Sequence, residues 1–133
     1  MANDKGTASD PWRLNTPLGK AEFEMHRDHE KDVLHCQVGS TWLSYKMSAL
    51  DDLHAMLTEH GDWMELGNKD EKAETKEGTV EHWARSEENP AGGWYGLRKG
   101  YRGRFASYVV PVLERLGKVE FEKRGRSTWV KAK

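Results

Sequence analysis

Eight basic side chains near the C-terminal end of the chain have the type and density needed to bind anions. They are Arg98, Lys99, Arg102, Arg104, Arg115, Lys123, Arg124 and Arg126. Residues 91–133 hold 11 Lys+Arg against 3 Asp+Glu, a net of 11 − 3 = +8, whereas residues 1–90 hold 10 against 19, a net of 10 − 19 = −9. A basic excess confined to one segment attracts phosphate groups or an acidic protein surface.

This charge distribution predicts a non-enzymatic module that binds nucleic acid, DNA or RNA, or has a regulatory role, through a basic C-terminal face. The alternative is a protein-interaction module. In that case the basic half pairs with the chain's own acidic half or with an acidic partner.

The residue types that carry catalysis or bind metals form no recognisable motif. The single cysteine, Cys36, lies in the apolar run 33–38, which favours a buried structural thiol. The six histidines do not follow a metal-binding spacing. The glycines between residues 92 and 103 lack the Gly-Lys-Ser/Thr ending of a phosphate-binding loop. We therefore expect no catalytic residue, no metal site and no cofactor.

The N-terminal part of the chain reads as an antiparallel meander followed by a helix. Alternating apolar residues predict strands at 20–27, 33–38 and 41–47. A helix is expected over residues 48–60, with Ser48 as its N-cap and Leu50, Leu53 and Leu57 on its buried face. A short further strand is expected within residues 62–67.

The C-terminal part reads as helices followed by a hairpin. Residues 79–86 predict a short helix, and apolar residues then recur at helical spacing from Trp94 to Leu116. Gly100 and Gly103 favour two helices with a turn near residues 100–103, and Pro111 predicts a kink or a restart of the second helix. Strand-like pieces at 119–122 and 127–130 flank the basic residues 123–126, which predicts a hairpin with a basic tip.

This order of short helix, short helix, longer helix and basic hairpin resembles a winged helix-turn-helix. The resemblance implies a recognition helix at about 102–116, which would enter the major groove, and a wing at about 119–130. The core side of that helix would carry Tyr101, Phe105, Tyr108, Val112 and Leu116. The side left for solvent or nucleic acid would carry Arg102, Arg104, Ser107 and Arg115, and the wing tip would carry Lys123, Arg124 and Arg126.

The whole chain is also similar to a family of small, uncharacterised bacterial proteins of actinobacterial type. The segments that carry this similarity are residues 37–41, 50–57, 60–63 and 92–97. The resemblance implies no particular activity, because that family has no established one.

Together these elements predict an α+β fold with an N-terminal antiparallel sheet and one helix, followed by a winged-helix-like C-terminal half. We expect a disordered N-terminus at 1–10, the meander and helix at 11–67, a linker at 68–76, and the helices and basic hairpin at 77–133. No apolar run approaches the ~20 residues that cross a bilayer, and the first residues lack a secretory signal. A cytoplasmic protein without a membrane partner is therefore expected.

Overall fold

The computed structural model describes residues 6–17, 21–67, 74–96 and 104–133. Its elements, in chain order, are β1 (Trp12–Asn15), β2 (Glu22–Asp28), β3 (Val33–Val38), β4 (Thr41–Lys46), α1 (Ser48–His60), β5 (Met64–Glu65), α2 (Val80–Ala84), α3 (Phe105–Tyr108), α4 (Val110–Arg115), β6 (Val119–Arg124) and β7 (Ser127–Ala132). The strands form a four-stranded sheet in the order β1-β2-β3-β4 and a three-stranded sheet in the order β5-β7-β6. The predicted α+β class is confirmed.

The four-stranded sheet is an antiparallel meander that buries one face. Its apolar residues alternate with polar ones, so that Trp12 lies opposite Met25 and Met25 lies opposite Cys36. The three predicted strands are confirmed, and β1 adds an edge strand that the sequence did not predict. Residues 1–5 of the expected disordered N-terminus lie outside the described residues. Residues 6–10 form a turn that reaches β2, where the Arg27 N–H donates to the Gly6 carbonyl at 2.8 Å.

Helix α1 has the predicted bounds and the predicted buried face, made by Leu50, Leu53 and Leu57. Its N-cap position is occupied by Met47, so the prediction that Ser48 caps the helix is wrong. The helix stops at Gly61, which adopts φ 71° and so takes the left-handed conformation that ends many helices. In the described part of the chain, no helix has the length and apolar character needed to cross a membrane.

The C-terminal hairpin is confirmed, with longer strands than predicted and a tight turn at Gly125, which has φ 63°. The short strand expected within residues 62–67 is also present, as β5. It does not extend the meander. Met64 pairs with Val130, and β5 is therefore the third strand of the hairpin sheet.

The helices of the C-terminal part differ from their prediction in one place. The short helix α2 is confirmed, and the Thr79 hydroxyl caps it by accepting from the His82 N–H. Pro111 lies in the first turn of α4, so the predicted restart is confirmed. No helix begins at Trp94, however, because residues 94–96 lie along β4 and the Lys46 N–H donates to the Tyr95 carbonyl at 2.7 Å. The expected turn near 100–103 and the expected linker residues 68–73 lie outside the described residues.

Helices α3 and α4 form the central layer of the molecule. On the meander side, Phe23 meets Tyr108 edge to face, with 5.0 Å between ring centroids, and Tyr45 meets Phe105 at 6.3 Å. On the other side, α4 contacts α1 and β6. All residues from 105 to 113 are buried, and one apolar core runs through both sheets.

A buried carboxylate fixes the start of this central layer. Glu81, on α2, has no solvent exposure and accepts hydrogen bonds from the backbone N–H groups of Phe105 and Ala106, at 3.2 and 3.0 Å. Arg85 Nε lies 3.4 Å from the same carboxylate. Burial raises the pKa of Glu81 to about 7, although the backbone donors and Arg85 act in the opposite direction. The carboxyl group therefore replaces the missing first-turn partners of α3 and ties α2 to it.

The pH dependence of stability tests this arrangement. Because the folded state raises the pKa of Glu81 from 4.5 to about 7, its contribution is fully present below pH 4.5 and is lost as pH rises toward about 7. We expect the free energy of unfolding of the wild type, relative to Glu81→Gln, to fall by up to about 3 kcal/mol across that window. Urea unfolding of both proteins at a series of pH values measures it, and a difference that stays constant with pH would contradict the assignment.

Candidate nucleic-acid interface

The hairpin presents three of the predicted basic residues to solvent. Lys123 and Arg124 end β6, and Arg126 lies in the turn; all three are exposed. In the part of the chain that the structure describes, Lys123 and Arg126 form no ion pair. Arg124 instead pairs with Glu122 on its own strand and lies over the Trp129 ring, with its guanidinium carbon 4.6 Å from the ring centroid. The Trp contact holds one cation against the hairpin while its two neighbours stay accessible.

A basic groove of about 480 Å³ lies next to the hairpin. Its walls come from β1, from the C-terminal end of α4 and from β6, and it brings together Arg13, Arg115 and Lys123. Arg115 Nη2 donates to the Arg13 carbonyl at 2.9 Å, which places this guanidinium across the gap between α4 and the edge of the meander. The only carboxylate among the described residues that line the groove is Glu114. The groove therefore carries an excess of positive charge.

Arg13 belongs to this groove although it lies in the acidic part of the sequence. Its side chain is 85% exposed, and its Nε lies 3.6 Å from a Glu24 carboxylate oxygen, an exposed pair of the kind that stabilises a fold little. The available signal was the alternation of Trp12 and Leu14 with Arg13 and Asn15, which marks a strand with a polar outer face. Four residues are too short a run to identify a strand from its alternation. A count of charges by segment places Arg13 in the acidic N-terminal part of the chain, away from the basic residues with which it lines the groove.

The helix expected to contact bases is not available for that role. Ser107 was predicted to face solvent or nucleic acid, but it is 8% exposed and lies in the buried layer. The prediction that Ser107 faces solvent or nucleic acid is therefore wrong, because every residue from 105 to 113 lies in the buried layer. Leu116 was predicted to face the core and is 37% exposed, because the helix has ended at Arg115.

The remaining predicted cations separate into two groups. Arg104 is exposed and lies at the N-terminal end of α3. Arg98, Lys99 and Arg102 lie outside the described residues. The structure thus brings Arg115 and Lys123 into one groove, with Arg124 and Arg126 beside Lys123 on the hairpin.

The outer face of the meander carries a row of residue types known from acyl-transfer enzymes. Ser44 Oγ lies 3.1 Å from His35 Nδ1, and Asp28 Oδ2 lies 3.6 Å from His35 Nε2. The backbone N–H groups around Ser44 lie in the plane of the sheet, perpendicular to its side chain. They cannot point at the oxyanion of a carbonyl group that the Ser44 hydroxyl would attack. This geometry therefore does not provide an oxyanion site.

The same face of the meander holds a cluster of aromatic rings around a pair of histidines. The spacing of these residues in the sequence did not predict that they are neighbours. His26 and His35 are cross-strand neighbours, with 5.0 Å between ring centroids, and Trp42 lies edge-on to both. Burial and the neighbouring His35 lower the pKa of His26. Across the described residues, no group of three His, Cys, Asp or Glu side chains is arranged to hold a metal ion.

Comparison with known proteins yields one match. A family model described as a family of unknown function (DUF6855) matches residues 4–133. No curated protein and no solved structure matches the chain.

The reactivity of Cys36 checks its assignment as a structural thiol. Cys36 is buried in β3, and burial raises its pKa to about 12, so that almost no thiolate forms at neutral pH. We expect alkylation by iodoacetamide at pH 8 to be at least about 100-fold slower in the folded protein than in urea. Mass spectrometry of timed samples measures the rate, and fast labelling of the folded protein would contradict the buried position.

Proposed function

The chain belongs to DUF6855, a family of unknown function, and we propose from its own surface that it binds the phosphate backbone of nucleic acid. The observation that carries this proposal is the meeting of Arg13, Arg115 and Lys123 in one groove that continues onto the hairpin tip. Sequence readout by α3 and α4 is not part of the proposal, because residues 105–113 are buried. Binding is therefore expected to depend strongly on salt and weakly on base sequence.

The charges of the groove support a phosphate ligand. Three cations share the groove with one carboxylate, Glu114, and the accessible cations of the hairpin tip lie beside it. Guanidinium groups bind phosphate oxygens through paired N–H donors, whereas Lys123 supplies a point charge. DNA carries about one charge per 1.7 Å of its axis, so that several cations along one edge meet several phosphates. Each contact between one of these cations and a phosphate would release counterions from the nucleic acid. The affinity would therefore fall as the salt concentration rises.

The order of the elements supports the resemblance to a winged helix. The segment that fits is longer than the one that the sequence suggested. Helix α1, strand β5, helix α2, the α3–α4 pair and the hairpin follow one another, and β5 joins the hairpin to make a three-stranded sheet. A winged helix starting at α1, near residue 48, would contain all of these. Its third helix is then the α3–α4 pair, in which Phe105 and Tyr108 pack against the meander and every residue from 105 to 113 is buried. Nucleic-acid contacts consequently fall to the wing rather than to the recognition helix.

The alternative that the basic half pairs with its own acidic half receives no support at the hairpin. The ion pair of Arg124 stays within β6, and Lys123 and Arg126 pair with no carboxylate in the described ranges. An acidic protein partner remains the competing hypothesis. A nucleic-acid partner also agrees with the cytoplasmic location expected from the sequence.

A salt titration with a matched charge control tests the proposal. A labelled DNA duplex of about 20 base pairs is titrated with the protein, and fluorescence anisotropy gives Kd at several NaCl concentrations. Lys123→Ala combined with Arg126→Ala should reduce the slope of log K against log [NaCl] by about 2, one for each lost phosphate contact. Exchanging the base sequence should change Kd by less than about threefold.

The control is Lys31→Glu, which changes the net charge by the same two units in the exposed turn between β2 and β3, at a residue that does not line the basic groove. It should leave the slope unchanged within about 0.5. Equal losses in the control and the hairpin variant, or no binding at about 20 mM NaCl, would overturn the proposal. Tighter binding of polyglutamate than of the duplex would do so as well, in favour of an acidic protein partner.

A further inference from the structure

A second groove, about 880 Å³, lies between α1 and α2 and shares no lining residue with the basic groove. Helix α1 contributes Asp52, Ala55, Met56 and Glu59. These positions follow the i, i+3, i+4, i+7 spacing of a single helix face. Since Leu50, Leu53 and Leu57 fill the core, α1 has a second face, which is directed at this groove.

The opposite wall is built around α2. His82 and Trp83 of this helix line the groove, together with its N-cap Thr79 and with Ser86 beyond its C-terminal end. Trp83 is partly exposed here, while its ring also contacts Tyr95 in the core, with 5.8 Å between centroids. One helical face of α1 and the side chains at and around α2 therefore border one channel, a concave surface against which a helix can pack.

The floor of the groove is apolar and deformable. Met56 and Trp83 are partly exposed in it, Met64 lies beneath them, and Ala55 leaves open space on α1. Methionine and tryptophan side chains form adaptable pockets for aliphatic residues of a partner. An ion or a small polar molecule would not make favourable contacts with these apolar side chains.

The rim of the groove is acidic, and three of its four carboxylates form no ion pair with the described residues. Asp52, Glu59, Glu77 and Glu88 line it. Asp52 accepts from the Tyr95 hydroxyl at 2.9 Å, whereas no ion pair involves Glu59, Glu77 or Glu88 within the described ranges. The two histidines of the lining are bonded to neighbouring chain atoms, His60 to the Trp63 carbonyl and His82 to the Thr75 hydroxyl. Negative charge thus surrounds an apolar floor.

We propose that this groove is a docking site for a basic amphipathic helix of a partner protein. Aliphatic side chains at helical spacing would lie on Met56 and Trp83, and lysines or arginines on the flanks of the helix would meet the four carboxylates. The occupant follows from the charge complementarity of the rim, the apolar floor and the helical spacing of the α1 wall. This site is independent of the phosphate-binding groove, so the chain carries two surfaces of opposite charge.

A designed peptide tests the docking site. The probe is a fluorescein-labelled peptide of about 14 residues with Leu at i, i+3, i+4, i+7 spacing and Lys elsewhere. Anisotropy should show saturable binding that weakens between about 50 and 200 mM NaCl. A peptide of the same composition with its leucines out of helical register, and one with Glu in place of Lys, should each bind at least about tenfold more weakly.

Three variants locate the binding. Glu59→Lys combined with Glu88→Lys should weaken binding at least about tenfold, whereas Glu22→Lys combined with Glu120→Lys, which makes the same charge change outside the groove, should alter Kd less than about twofold. Ala55→Gln keeps the net charge but fills the apolar floor, and should weaken binding at least about fivefold. Melting temperatures within about 3 °C of the wild type establish that these surface variants remain folded.

Several results would overturn the proposal. Unchanged affinity in Ala55→Gln would show general charge attraction rather than docking, and equal binding of the register-shifted peptide would show the same. No saturable binding at millimolar peptide would also contradict it. A concentration-dependent dimer of the wild type that the Glu59→Lys and Glu88→Lys pair abolishes would assign the groove to the basic hairpin of a second copy instead.

Discussion

The buried Glu81 carboxyl group at the start of α3 is the constraint on which the arrangement of this protein depends. It accepts from two backbone N–H groups of α3, and Arg85 Nε lies 3.4 Å from the oxygen that also accepts from Phe105. Without it, the first turn of α3 would bury two unsatisfied N–H donors, each at a cost of about 1–3 kcal/mol. The group joins α2 to the layer that lies between the two sheets. Once α3 and α4 are fixed there, residues 105–113 are buried, and only the C-terminal end of α4, with Arg115, reaches the basic groove.

The position of that layer decides which cations are available. The α3–α4 pair lies in the buried layer, and Ser107, which a groove-reading helix would need to expose, is buried with it. The hairpin extends beyond this contact and keeps Lys123 and Arg126 in solvent. Arg115, at the end of α4, bridges to the edge of the meander and brings Arg13 into the same groove. The separation of charge along the chain thus becomes two separate surfaces, a basic one at the hairpin and an acidic, partly apolar one between α1 and α2.

Local periodicity was sufficient to predict the elements whose contacts are close in sequence. The meander strands, α1 and the hairpin each carry a clear period of two or 3.6 residues and pair with their neighbours along the chain. Long-range features left no such signal. The pairing of β5 with β7 joins residues that are about 65 positions apart. A single glutamate in a five-residue helix suggests an exposed side chain, yet Glu81 is buried. The site was predicted in part, since Arg115 and Lys123 meet but their partner Arg13 belongs to an edge strand too short to recognise.

Hydrogen exchange of the full chain, alone and with a DNA duplex of about 20 base pairs, tests most directly whether the helix pair is core and the hairpin is the binding surface. We expect the amides of residues 105–113 to exchange slowly in both samples. We also expect the duplex to add protection at residues 12–16 and 119–128, which form two of the three walls of the basic groove. Rapid exchange of residues 105–113 in the free protein, or protection that the duplex adds there and not at the hairpin, would contradict this account.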